Sequence, residues 1–208
     1  NVDYFPNERF KGSILLVPGD EPRMYELRDV PHGAVTYEYY PSLEGSTGSV
    51  VVYTPPGYDE SPDRNYPVFY LISGTTDTEE TFYKVGRTNF ILDNLIAEGL
   101  AEPMIVVIAE QTGDVKPLDP PRDSEASNAR MKQIENDLIK NIIPYIESNY
   151  RAIKDRESRA IAGFSRGGGQ TLRIAYGNMD TFAWVCSYAA SSSPEDMDTD
   201  FVSVSSNP

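Results

Sequence analysis

The sequence is short of cysteine and histidine, with one of each, Cys186 and His32. A lone cysteine excludes an intramolecular disulfide and says nothing about the redox compartment. In "FAWVCSYAA" Cys186 reads as a small buried apolar residue. Basic residues are also few: 18 Lys and Arg against 32 Asp and Glu give a formal net charge of −14. Such a surface repels phosphate backbones and anionic bilayers, so neither nucleic acid nor membrane is an expected partner. No apolar run approaches the roughly 18 residues of a membrane span. The first residues, "NVDYFPNERF", lack the basic-then-apolar pattern of a secretory leader.

What is present is a globular composition: 208 residues, 39% hydrophobic, with 14 Tyr and 8 Phe. That length suits one domain, 1–208, with a substantial core. Up to about Pro56 the chain reads as antiparallel β, with candidate strands in "MYELRDV", "GAVTYEYYP" and "GSVVVYTPP", after an N-terminal extension over 1–24. From Pro67 short apolar runs ("VFYLI", "MIVVIA", "RAIAG", "FAWVCSY") alternate with helical segments, the pattern of an α/β fold with a parallel sheet and crossover helices.

One predicted helix, "NFILDNLIAEG", carries Phe90, Ile91, Leu95 and Ile96 at helical spacing and stops at Gly99. Another, "ARMKQIENDLIKNIIPYIESNY", puts Ile134, Leu138, Ile142 and Ile146 on one stripe facing the sheet, with Pro144 expected to kink it or mark its last turns. The polar stretch "QTGDVKPLDPPRDSEAS" reads as a surface excursion or a site-lining loop, and 191–208 as an irregular tail.

The chemistry concentrates at "IAGFSRGGGQ". Gly163-Phe164-Ser165-Arg166-Gly167 matches G-x-S-x-G, with a buried strand before it and a helix after it, the context of a nucleophile elbow. Gly163 and Gly167 let strand and helix approach around the bend, and three successive glycines in a helix start, each about 1 kcal/mol worse than alanine, indicate a steric need. An oxyanion hole would take one N–H from Arg166, just after the serine, and another from Thr75 or Thr76, past Gly74 at the end of "VFYLISG". Phe82, Tyr83 and Phe164 are candidates for stacking on an aromatic acyl group or a sugar face, or for simple packing.

In this order, "VPHGAVTYEYYPS", "VVYTPPGYD", "YPVFYLISG", "NFILDNLIAEGLAEPMIVVIAE", "ENDLIKNIIPYIESNYR" and "SRAIAGFSRGGGQTLRIAY" resemble the carbohydrate esterase family 1 branch of the α/β-hydrolases, with its feruloyl and acetylxylan esterases and esterase-D-like proteins. The resemblance implies a three-layer α/β-hydrolase sandwich and a secreted or periplasmic serine esterase. Such an enzyme removes acyl groups from xylan or xylo-oligosaccharide without cofactor or metal. It implies Ser165 as nucleophile, with Thr75 and Arg166 giving the oxyanion N–H groups.

This chain departs from the family at Ser73-Gly74, where His-Gly is usual, and at Arg166, where a small or apolar residue is usual. The family also places its acid and histidine after the serine, beyond further strands. Here no histidine follows Ser165, and the expected C-terminal strands are missing. His32 comes at the wrong point in the order to serve as base. Asp196, Asp198 and Asp200 fail the calcium-loop register, which would need Gly and Glu where Phe201 and Asn207 stand.

Three readings follow for the missing base. The chain is one piece of a longer esterase, or an inactive homologue that binds acylated carbohydrate or a protein partner, or a protein completed by a neighbouring copy. An acyltransferase on the same scaffold is a further alternative. An unpaired "FAWVCSY" edge predicts a homodimer or aggregation.

Overall fold

The computed structural model describes residues 23–109 and 125–190, with short stretches between 3 and 19. Two short strands, β1 (Asp3–Tyr4) and β2 (Ser13–Ile14), form an antiparallel ribbon. Among the described residues the main sheet has six strands. Its N-terminal hairpin joins β3 (Ala34–Pro41) to β4 (Thr47–Thr54) through a tight turn in which Gly45 takes φ +78. The rest of the sheet is β5 (Val68–Ile72), β6 (Ile105–Ala109), β7 (Arg159–Phe164) and β8 (Trp184–Tyr188).

The strand order is β3-β4-β6-β5-β7-β8. β4 runs antiparallel to both of its neighbours, and β6, β5, β7 and β8 are mutually parallel. Every residue of β6 is buried, which explains its unbroken apolar run: a strand covered on both faces has no position to give to water.

Helices cover both faces. On one lie α1 (Thr81–Lys84) and α2 (Thr88–Ala97), with Leu92 packed among Val51, Tyr53, Leu71, Val106, Ile108 and Ala162. On the other lie α3 (Glu125–Asp137), α4 (Ile143–Asn149) and α5 (Arg166–Gly177). There Leu138, Ile142, Ile146 and Ile174 meet Val68, Tyr70, Ile72, Val107 and Ile161. These three layers are the expected α/β-hydrolase-type sandwich.

Pro144 makes its break through a wide helical turn, Leu138–Ile142, where the N–H of Ile143 donates to the carbonyl of Leu138. The proline ring has no N–H for the carbonyl one turn back, and the looser turn absorbs the mismatch. Asp137 pins this turn to the hairpin, accepting from Tyr40 Oη (2.6 Å), Ser42 Oγ (2.9 Å) and Asn141 Nδ2 (2.6 Å).

Two local expectations fail. "MYELRDV" is turn and irregular chain rather than a strand, tied to α2 by Asn94 Nδ2, which donates to the carbonyls of Met24 and Glu26. α2 forms where the helical spacing places it, and its most buried residues are Leu92, Asp93 and Asn94, with Ile96 packed against the same cluster. Polar side chains take the inner positions because they satisfy the backbone of 24–33. Cys186 is exposed, on β8, the last strand of the sheet among the described residues. Residues 110–124 and 191–208, which hold most of the polar excursion, the tail and Asp196, Asp198 and Asp200, lie outside the described residues.

Candidate active site

Ser165 stands between β7 and α5 with φ 56 and ψ −117, backbone values that a residue with a Cβ rarely adopts. Holding a non-glycine residue there costs on the order of 1–3 kcal/mol and persists only where its surroundings over-determine it. Two hydrogen bonds do so: Ser165 N–H donates to the carbonyl of Tyr188 (2.9 Å), and Gly169 N–H donates to the carbonyl of Ser165 (3.2 Å).

The glycines are there for close approach. A Cβ on Gly163 would lie 2.2 Å from the carbonyl oxygen of Gly167, and one on Gly168 would lie 2.9 Å from Ser187 Oγ and 3.0 Å from the carbonyl of Tyr188. The start of α5 therefore sits directly on β7 and β8. Ser165 and Arg166 are half-buried, within reach of solvent. Helix geometry leaves the N–H groups of the first turn of α5 without intrahelical acceptors, facing the serine with the positive end of the helix dipole.

The facing wall is the loop after β5. Ile72 pairs with Gly163, so this loop leaves the sheet beside Phe164 and Ser165. A Cβ on Gly74 would touch Phe164 Cδ1 at 3.3 Å. Asp77, which is buried, folds the loop back by accepting from Gly74 N–H at 3.2 Å, while its own N–H donates to the Gly74 carbonyl at 3.3 Å. Thr76 takes φ 59 and its Oγ1 donates to the carbonyl of Thr75 at 2.7 Å. Ser73 is fully buried, and its Oγ donates to the carbonyl of Thr78 at 3.2 Å. The serine that stands where the family usually has histidine thus braces the loop from within.

Among the aromatic candidates only Phe164, 48% exposed, stands at the junction of elbow and loop. Phe82 and Tyr83 pack on the α1–α2 side of the sheet, and the Tyr83 and Tyr37 hydroxyls are hydrogen-bonded to each other. Asp77 was missed at sequence level, although a Gly-x-x-Asp turn directly after a buried strand is a readable signal.

His32 lies elsewhere. It precedes β3, whose first residue Ala34 pairs with Thr54, and Tyr53 pairs with Val106 near the start of β6. This is the amino end of the parallel strands, whereas Ser165 is at their carboxyl end. His32 Nδ1 is 2.8 Å from Asp93 Oδ2, and Asp93, 1% exposed, also accepts from Gly33 N–H (2.9 Å) and Tyr53 Oη (2.7 Å). Burial, then the bond to Asp93, pushes the Tyr53 hydroxyl far above its ordinary range and keeps it a neutral donor.

Among the described residues no group of three or more His, Cys, Asp or Glu side chains is placed to hold a metal ion, and no helix is long and apolar enough to cross a membrane.

The family model described as "Putative esterase" matches residues 42–202. An endo-1,4-beta-xylanase/feruloyl esterase of Xylanibacter ruminicola is 29% identical over 187 residues, covering 88% of this chain and 25% of its own length. A CE1 ferulic acid esterase from Anaeromyces mucronatus, solved with ferulic acid, superposes with a TM-score of 0.71 at 27% identity, over 85% of this chain and 66% of its own. The feruloyl esterase module of Clostridium thermocellum, a serine-to-alanine mutant complexed with sinapinate, superposes with a TM-score of 0.68 at 26% identity, over 88% and 64% of the two chains. The chain spans a quarter or less of the length of the curated relatives it matches first. With the parallel sheet, the strained serine and the facing loop in place, these likenesses put the chain in the esterase family of the α/β-hydrolases, beside the CE1 ferulic acid esterases.

Proposed function

We propose that this chain carries the nucleophile and oxyanion elements of a secreted serine esterase of the feruloyl or acetylxylan type, acting on acylated xylan without a cofactor. The observation that carries the reading is Ser165 at φ 56 on a strand-to-helix bend, facing the loop after β5. In this reading Ser165 Oγ attacks the ester carbonyl. The developing oxyanion is held by the N–H groups of Arg166 and Thr75, and the alcohol leaves as the acyl-serine forms. Water then releases the acid. Gly163 and Gly167 shape the bend, and Phe164 flanks the acyl group.

The serine proton needs an acceptor, and the one imidazole of the sequence is held by Asp93 at the other end of the sheet. In a serine protease, loss of the histidine costs on the order of 10⁶ in turnover, with about 10³ to 10⁴ over water left to the oxyanion hole and binding. In this reading the base is a group other than His32, held within hydrogen-bond reach of Ser165. The same observation favours a second reading, an inactive homologue that binds acylated carbohydrate without turnover.

The test is hydrolysis of 4-nitrophenyl acetate and methyl ferulate by this chain and by Ser165→Ala, each with and without added imidazole. The proposal expects a faint Ser165-dependent rate that imidazole raises at least tenfold above the Ser165→Ala control. Equal rates for the two proteins at every imidazole concentration would leave the binder. Among the described residues β8 is an edge strand with Trp184, Val185 and Tyr188 all exposed, which supports a homodimer that sedimentation checks: a monomer at every concentration removes it.

A further inference from the structure

The opposite edge of the sheet carries a second aromatic surface. On β3, Tyr37 and Tyr39 are two residues apart and so project from the same face, about 7 Å from one another along the strand. Glu38 and Tyr40, between and beyond them, point the other way: Glu38 accepts from Tyr145 and Tyr150, and Tyr40 donates to Asp137. Tyr37 is 43% exposed and Tyr39 69%. Two tyrosines this open on one short strand are more than packing requires, because the layer beneath them closes without Tyr39.

Their surroundings are ordered and polar. The Tyr37 hydroxyl donates to Glu80 Oε1 and meets the Tyr83 hydroxyl, and the two rings stand edge to face with centroids 6.1 Å apart. Lys84 Nζ closes the group on Glu80 Oε1 at 2.6 Å. Burial, followed by the bonds to Glu80 and Tyr83, pushes the Tyr37 hydroxyl far above its ordinary range, so it stays a neutral donor. Beside Tyr39, its strand partner Ser49 donates through Oγ to Glu79 Oε1 at 3.0 Å.

The register fixes where this surface lies. Tyr39 pairs with Ser49, and Val50, the next residue of β4, pairs with Ala109 at the carboxyl end of β6. The surface is therefore at the same end of the sheet as Ser165. Glu79, Glu80 and Tyr83 follow directly on the loop of Gly74 to Asp77 that faces the serine, so that loop connects the two places.

We propose that Tyr39 and Tyr37 form a platform for a neutral β-linked pyranose chain, the polysaccharide backbone beyond the ester that Ser165 would attack. The proposal rests on the esterase reading for its choice of sugar. Three features fit this occupant. Flat exposed rings match the apolar C–H faces of pyranose sugars. Carboxylates and hydroxyls already fixed in place beside them offer hydrogen-bond partners to sugar hydroxyls at little further ordering cost. A net charge of −14 disfavours a polyanion on the same surface.

The test is calorimetric titration of the chain with unesterified xylohexaose, whose binding needs no turnover. Binding is expected for the wild type and for Ser165→Ala alike. Tyr39→Ala should weaken it by about tenfold, the loss of one aromatic anchor, and Tyr39→Phe should retain it because the ring is kept. Tyr39 is exposed, so its replacement leaves the fold intact, and unchanged thermal unfolding verifies that. No binding by the wild type, or equal binding by wild type and Tyr39→Ala, overturns the platform, as does a Tyr39→Phe loss as large as that of Tyr39→Ala. Ser165-dependent hydrolysis without xylohexaose binding would remove the platform and leave the esterase reading standing; binding with no Ser165-dependent rate would do the reverse.

Discussion

The two ends of the sheet treat polar groups in opposite ways. At the amino end, Asp93 is buried and surrounded by donors: His32, Gly33 N–H and Tyr53 Oη all reach its two oxygens. None of His32, Tyr53 and Asp93 has a left-handed backbone, and the carboxylate is occupied by the scaffold. At the carboxyl end, Ser165 is half-buried, its backbone is in a costly conformation, and the glycines around it have given up side chains so that a helix start can reach the same point. A saturated polar cluster stabilises the fold. A strained, accessible one draws on stability supplied elsewhere, which is how a site differs from a structural histidine even when both contain catalytic residue types.

The sharpest break of this comparison is at Asp93. Asp93→Ala leaves the buried Tyr53 hydroxyl and the Gly33 N–H without acceptors, and unsatisfied buried donors cost about 1–3 kcal/mol each, partly offset by removal of a buried charge. We expect a loss of about 2 kcal/mol in denaturant unfolding, with the Ser165-dependent rate unchanged under folded conditions. A variant as stable as the wild type would show that the cluster is not structural.

Ser165 should respond with the opposite sign. Ser165→Gly puts at φ 56, ψ −117 the one residue type without a Cβ penalty. The gain from released strain exceeds the added freedom of the unfolded chain, giving an expected net stabilisation of about 1 kcal/mol together with loss of any Ser165-dependent hydrolysis. Destabilisation by the same amount would mean that the serine side chain holds the bend together, contrary to the site geometry.

How much of this could be read from the sequence follows the same division. The strands of the parallel sheet were legible because burial on both faces leaves continuous apolar runs, and the bend at Ser165 because its glycine setting shows in the sequence, with Gly163 too close to the backbone of Gly167 for any side chain. The Ile134–Ile146 stripe was legible because a helix on a sheet repeats its contacts every turn. Other features turn on tertiary partners that no local pattern contains. Asp93 and Asn94 are buried because distant backbone at 24–33 needs them, which the apolar spacing of α2 does not announce. Cys186 looked like core and is exposed, since an apolar strand does not announce whether a neighbour covers it. The roles of Asp77 in folding the Gly74 loop, and of Tyr37 and Tyr39 as one surface, depend on register and were invisible until the strands were paired.

The smallest expected effect concerns His32 and bears most directly on the chemistry. His32 supplies one of the three contacts to Asp93, and its own side chain is 39% exposed, so water can replace it when it is removed. His32→Ala should therefore cost about 1 kcal/mol or less, the net worth of one hydrogen bond, while Gly33 and Tyr53 keep Asp93 satisfied. It should change the Ser165-dependent rate by less than about twofold, because a base acts only within hydrogen-bond reach of the proton it takes and His32 is at the far end of the strands. A rate that falls with His32→Ala while unfolding stays the same would mean that the one imidazole of the sequence reaches the serine after all. The contrast between the two ends of the sheet would then have to be abandoned.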